Sequence, residues 1–166
     1  STTAQMVLGD ALAVCLMELK GFTGNDFAKF HPGGNLGKRL YLRVSDIYKM
    51  NASPYVKESS SLKEVIVEIT KGRLGATAVL DDNNNLCGVV TDGDIRRLLE
   101  KTDNLKDITA GAIKISNPKM IEENSLAAEA LEKMQKHDIN QLLVINNNGV
   151  YLGLIHLHDL IREGII

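Results

Sequence analysis

The chain has 166 residues, 44% apolar and 24% charged, with a formal net charge of −2; that is enough for one compact domain or two small ones. It has no Trp, 4% aromatic residues, and 19 Lys and Arg against 21 Asp and Glu, so it lacks the stacking platforms and the basic stripe that nucleic-acid binding uses. The same balance argues against electrostatic binding to an anionic membrane.

Ser1-Thr2-Thr3 leads into a predicted helix that Thr2 or Thr3 can cap and Gly21 can end. From Ala4 to Leu19 only Gln5, Asp10 and Glu18 interrupt a series of apolar or small side chains. A helix apolar nearly all round is buried on several sides, so its packing partners are expected upstream of this sequence. Its most apolar part, Ala11 to Leu19, is interrupted by Glu18 and is too short to cross a bilayer. No signal peptide is visible, and the expected compartment is the cytoplasm. Cys15 and Cys87 each sit in an apolar run and are expected to be buried, reduced thiols. Their spacing fits no metal site.

A short helix is predicted from about Asn25 to just before Pro32, because the residue preceding a proline is biased away from the α region. The glycines after it form an irregular loop. Gly33 to Gly37 has the wrong spacing for a phosphate-binding P-loop, and Arg39 follows Lys38 where Ser or Thr is needed. His31, just before Pro32, reads as a turn residue with no acid–base partner in this chain.

The rest of the sequence repeats itself. A shift of 65 positions lays Lys71 on Lys136, Val79 on Val144, Gly88 on Gly153, Asp94 on Asp159 and Arg97 on Arg162 without a gap. Each copy predicts helix, strand, strand, helix. In the first, Ser61 and Glu64 form a capping box before a stripe of Leu62, Val65, Ile66 and Ile69. Strands follow over Ala76 to Leu80 and Leu86 to Thr91, then a helix from Asp92 to Lys101. In the second, Ser125 is the expected cap, followed by strands Gln141 to Ile145 and Tyr151 to His156 and a helix from Leu157 to Glu163. Asn-, Asp- and Gly-rich turns close both hairpins. Thr102 to Lys106 joins the copies.

The chemistry-bearing stretch is Gly88-Val89-Val90-Thr91-Asp92-Gly93-Asp94, where a strand meets a helix N-terminus. Free N–H groups there welcome a phosphate, Thr91 offers a hydroxyl, and Asp94 can accept from a ribose diol. Thr91 and Asp92 can equally be caps, with Asp94 complementing the helix dipole. The motif alone leaves both readings open. In the second copy Asp159 repeats Asp94, while His156 replaces the Thr91 hydroxyl. His156 reads as a site-lining imidazole and His158 as a surface or cap residue; a metal site needs a third ligand that sequence cannot supply.

The Gly-apolar-apolar-Thr-x-x-Asp ending resembles that of cystathionine-β-synthase-type (CBS) domain pairs. The leading stretch, Gly9-Asp10-Ala11-Leu12-Ala13 through Phe30-His31-Pro32-Gly33-Gly34-Asn35-Leu36-Gly37, resembles the end of a sugar isomerase domain. In this order, over essentially the whole chain, the combination resembles the D-arabinose 5-phosphate isomerases. The resemblance implies an α/β (α+β) fold with a sugar-isomerase remnant at 1–40 and CBS domains at 41–104 and 105–166. It implies a parent that interconverts D-ribulose 5-phosphate and D-arabinose 5-phosphate on the way to Kdo and lipopolysaccharide, with His31 catalytic only in the intact enzyme. This chain alone is expected not to be catalytic, since the family's active-site Lys and Glu pair lie upstream.

For the repeats the resemblance implies nucleotide clefts using Thr91, Asp92 and Asp94 in one and His156 and Asp159 in the other. The expected ligand is an adenine nucleotide or a sugar nucleotide such as CMP-Kdo, with no cofactor and no metal. The expected assembly is a homodimer of CBS pairs within a tetrameric parent. A stand-alone nucleotide sensor and a ligand-free dimerisation module are the alternatives.

Overall fold

The computed structural model describes residues 1–23, 26, 35–102 and 104–165. His31, the loop at Gly33 and Gly34 and, apart from Asp26, the helix expected from Asn25 lie outside the described residues. The chain divides into two compact units, Ser1–Tyr41 and Leu42–Ile166.

In the first unit, helix α1 spans Thr2–Leu19, with Ser1 rather than Thr2 or Thr3 at its N-cap. Gly21, at φ +59°, ends it as expected. Its N–H reaches the Glu18 carbonyl at 3.1 Å and the Phe22 N–H reaches Met17 at 2.9 Å, a pattern that needs a left-handed residue at that point. No residue of α1 is buried. Cys15 is therefore exposed, contrary to expectation, because its face of α1 is bare. The full helix, 18 residues with mean hydropathy 1.3, is long and apolar enough to cross a membrane by length and composition, which Ala11 to Leu19 alone is not. Asp10 at its middle opposes that placement, since a central Asp costs about 3 kcal/mol in a bilayer. Helix α2 (Asn35–Tyr41) completes the unit.

The second unit carries the repeat, and the α/β architecture expected of it is what forms. Helix α3 (Val44–Tyr48) precedes strand β1 (Tyr55–Lys57), helix α4 (Leu62–Gly72), hairpin strands β2 (Ala76–Leu80) and β3 (Leu86–Thr91), and helix α5 (Asp92–Lys101). The second copy answers with α6 (Ala110–Ile113), β4 (Met120–Glu122), α7 (Ala127–His137), β5 (Gln141–Ile145), β6 (Tyr151–His156) and α8 (Leu157–Arg162). Each copy forms a three-stranded sheet, ordered β1-β2-β3 and β4-β5-β6. β1 and β4 pair in parallel with β2 and β5, and the hairpins are antiparallel. Even the irregularity repeats, between Val79 and Leu80 and between Val144 and Ile145.

The capping box is present at α4: Glu64 accepts from the Ser61 N–H at 2.7 Å, and Ser61 Oγ accepts from the Glu64 N–H at 3.4 Å. At α7 the cap moves by one residue. Leu126 rather than Ser125 is the N-cap, and Glu129 accepts from the Leu126 N–H at 3.3 Å. Asn84 takes a left-handed φ of 66° in the first hairpin turn and Gly149 one of 76° in the second.

The cores are exchanged between copies. Val44, Ile47 and Tyr48 of α3, which precede the first copy, pack with Ile121, Leu131, Met134 and Leu160 of the second. Ala110 of α6, which precedes the second, packs with Val65, Ile69, Val79 and Val90 of the first. A third cluster joins the hairpins: Leu74, Ala76 and Ala78 meet Leu143 and Leu154. Gly88 and Gly153, equivalent in the repeat, let the exchanged segments cross. A Cβ on Gly88 would lie 2.9 Å from the Ile115 carbonyl oxygen, and one on Gly153 would lie 2.9 Å from the Tyr48 ring.

Candidate functional site

A cavity of about 220 Å³ opens between the two hairpins. Its floor is apolar: Ala76 and Val89 from the first copy, Leu143 and Leu154 from the second, with Ile115 and Ile139 beside them. Thr91 and Gln141 contribute a hydroxyl and an amide, and Asn117, Pro118 and Lys119 line it from the segment entering β4. The segment is anchored because Ile115 and Val89 exchange backbone hydrogen bonds of 2.9 and 3.1 Å. An apolar slot with few polar groups suits a flat heterocycle. The volume is below that of a pocket holding a whole drug-sized ligand, about 300 Å³ or more.

Among the described residues, Thr91 is the one expected site residue that lines this cavity. Asp94 is its direct partner. Its Oδ2 accepts from the Thr91 hydroxyl at 2.7 Å and from the Thr91 N–H at 2.9 Å, while its Oδ1 accepts from Arg97 at 2.5 Å. The Asp94 N–H returns a bond to Thr91 Oγ1 at 3.2 Å. Thr91 is thus the N-cap and Asp94 closes a capping box with it, while Asp92 is the first helical residue rather than a cap. Asp94 also lines a shallow second pocket with Arg97 and Lys101. Asp92 opens α5, and its N–H donates to the Gly75 carbonyl at 3.0 Å.

The second copy is built differently. Asp159 Oδ2 accepts from the His156 N–H at 2.9 Å and from Asn51 Nδ2 at 2.7 Å, and Oδ1 accepts from Arg162 at 3.1 Å. His156 Nδ1 accepts from the His158 N–H at 3.0 Å, and the two rings stack 4.9 Å apart. Burial, and then the neighbouring His158, push the His156 imidazole below its usual range, against the opposing pull of Asp159. The His156 Nδ1 thus acts as an acceptor at its own helix terminus. Among the described residues no cluster of three or more His, Cys, Asp or Glu could hold a metal.

Beside the first hairpin, Lys114 pairs with Glu58. Glu58 is held below, and Lys114 above, its ordinary value, chiefly by that hydrogen bond. Cys87 is half-buried rather than buried, its thiol pushed up by burial and donating to the Val79 carbonyl at 3.3 Å.

Sequence reasoning missed Asn51, Asn117, Lys119 and Gln141. A signal was available: Pro54 and Pro118 punctuate the segments just before β1 and β4, where a chain turns.

Two copies of one α/β unit, with exchanged helices and hairpins facing across a slot, define a tandem repeat module. The CBS domain signature matches residues 44–101 and 110–165, and the chain belongs to the CBS domain family. It is 40% identical over 167 aligned residues to arabinose 5-phosphate isomerase KdsD of Escherichia coli K12, covering 100% of this chain and 51% of that protein. It is 43% identical over 159 residues to arabinose 5-phosphate isomerase KpsF of Escherichia coli, covering 96% of this chain and 48% of that protein. The chain thus spans about half the length of the curated relatives it matches. Among solved structures, a CBS domain protein of Pyrobaculum aerophilum complexed with AMP aligns at a TM-score of 0.65 and 28% identity, covering 72% of this chain and 90% of that one.

Proposed function

We propose that this chain is the nucleotide-sensing CBS pair of an arabinose-5-phosphate isomerase, acting as a regulatory module and not itself catalytic. The observation that carries the reading is the slot between the hairpins. It is apolar at its floor, with Thr91 and Gln141 as polar groups and the exposed Lys119 beside them, and a planar base with an anionic tail matches that order. The Pyrobaculum relative, solved with AMP, supports an adenine nucleotide; a sugar nucleotide such as CMP-Kdo fits the same chemistry. The two isomerase relatives, aligned over nearly all of this chain, support the parent activity, D-ribulose 5-phosphate to D-arabinose 5-phosphate, with His31 contributing only there. The bare apolar surface of α1 is then the surface that packs into the isomerase part. A cytoplasmic, oligomeric parent follows from that assignment.

A second reading, a dimerisation module that takes no ligand, draws on the engagement of both Asp94 and Asp159 in helix caps. Calorimetry separates the two. AMP, CMP and CMP-Kdo are titrated into the protein, and at least one is expected to bind. Thr91→Ala should weaken it about twofold to tenfold, the contribution of one neutral hydrogen bond. If none of the three binds or raises the melting temperature, the sensing reading fails and the dimerisation reading stands.

A further inference from the structure

The strand-to-helix turns of the two copies are equivalent in sequence position but not in chemistry. In the first, Ala76 pairs with Thr91 across the hairpin, and a methyl beside a hydroxyl leaves the slot open. In the second, Gln141 pairs with His156, setting an amide beside an imidazole. Gln141 also reaches over to the first copy, donating to the Leu74 carbonyl at 3.2 Å.

The segment after α3 then closes the second side. Asn51 donates through Nδ2 to the Leu154 carbonyl at 3.1 Å and to Asp159 Oδ2 at 2.7 Å. Ser53 Oγ donates to the Leu152 carbonyl at 2.9 Å, and the Tyr151 hydroxyl donates to the Pro54 carbonyl at 3.0 Å. Asp159, with 6% of its surface exposed, is among the buried polar residues. Asn51 supplies Asp159 with a hydrogen bond of 2.7 Å, as short as the one that the Thr91 hydroxyl gives Asp94 in the first copy.

We propose that Asn51 is a resident substitute for ligand in the second cleft, so that the chain takes one nucleotide, on the Thr91 side only. This rests on the nucleotide reading above. A ribose reaching Asp159 must first displace the Asn51 amide, and losing even one hydrogen bond to a charged group sets a competitor back about tenfold. Asn51 also ties the segment after α3 to the second copy.

The test is binding stoichiometry with AMP by equilibrium dialysis and calorimetry on the full chain. The wild type is expected to take one equivalent, weakened or lost in Thr91→Ala. The double variant Asn51→Ala/His156→Thr, which removes the resident amide and supplies a hydroxyl at the position equivalent to Thr91, is expected to take a second equivalent. Two equivalents on the wild type would overturn the inference and leave the nucleotide reading standing. No uptake of AMP, CMP or CMP-Kdo by wild type or variant would overturn both. Should the double variant fail to fold, the wild-type amide NMR spectrum decides. Saturating AMP should move the Thr91 N–H signal and leave the Asn51 side-chain amide in place, and comparable shifts at both would sink the inference.

Discussion

Asp94 and Asp159 stand at equivalent points of the repeat, each accepting from a capping N–H and from an arginine one turn on. Their remaining partners differ. Thr91 Oγ1 bonds within its own turn, to Asp94, whereas the Asn51 amide comes from a distant segment and bonds both Leu154 and Asp159. Asp94→Ala is therefore expected to lower stability by about 1 kcal/mol, the usual worth of a cap. Asp159→Ala should cost about 1–3 kcal/mol more, because it strands a partly buried N–H. Chemical denaturation of the two variants measures the difference, and equal losses would deny Asn51 its role. Acid sensitivity is a second expectation at this scale. His156 binds a proton less readily folded than unfolded, so its contribution is complete above the unfolded value of about 6.5 and is lost as pH falls from there toward the lower folded value. His156→Asn, which keeps an acceptor for the His158 N–H, should lose less melting temperature than wild type between about pH 7 and about pH 5. A residual slope belongs to His137, lowered by burial and then by Lys119, Lys136 and Lys133; Glu58, Glu64 and Asp81 are held low and titrate below this window. The Thr91–Asp94 pair was legible in the sequence because both members lie in one strand-to-helix turn. Asn51 was not, because it reaches its partner across 108 positions of chain.

At the scale of elements, the hairpin strands β2, β3, β5 and β6 are readable because each is a five- or six-residue run closed by turn-forming residues. Strands β1 and β4 are three residues each, too short to show a period, and exist because they pair with β2 and β5 from a distance. Helices α3 and α6 are similarly short, with five and four residues, and tertiary packing rather than propensity holds them. What the sequence does carry of this arrangement is the glycine pair. Gly88 and Gly153 are shared by the copies because an exchanged segment crosses each. Gly88→Ala should cost about 1–3 kcal/mol by overpacking, since the new methyl would meet a backbone oxygen, that of Ile115. Gly153→Ala meets the Tyr48 ring and Ser53 Oγ, and Ser53 can turn aside. Urea unfolding should rank Gly88→Ala as the more damaging; the reverse order would mean that the Ile115 segment yields more easily than Tyr48.

At the scale of the whole module, the exchange of α3 and α6 makes the two copies interdependent. A periodic sequence invites a picture of two beads, each with its own core. Instead, Val44, Ile47 and Tyr48, at 0%, 1% and 7% exposure, complete the core of the copy that follows at a distance. Ile47→Ala removes a buried side chain from that cluster and should cost about 2–5 kcal/mol. The location of the damage is the sharper expectation. Hydrogen exchange in the variant should rise first in α7, β5 and β6 of the second copy, although Ile47 precedes the first. It should leave α4, β2 and β3 protected until the whole module opens. Wild-type Leu42–Ile166 should in turn unfold in one transition, with calorimetric and van't Hoff enthalpies agreeing. Two separated transitions, or loss of protection in α4 ahead of α7 in Ile47→Ala, would mean that the copies are independent and that α3 is merely draped on its neighbour.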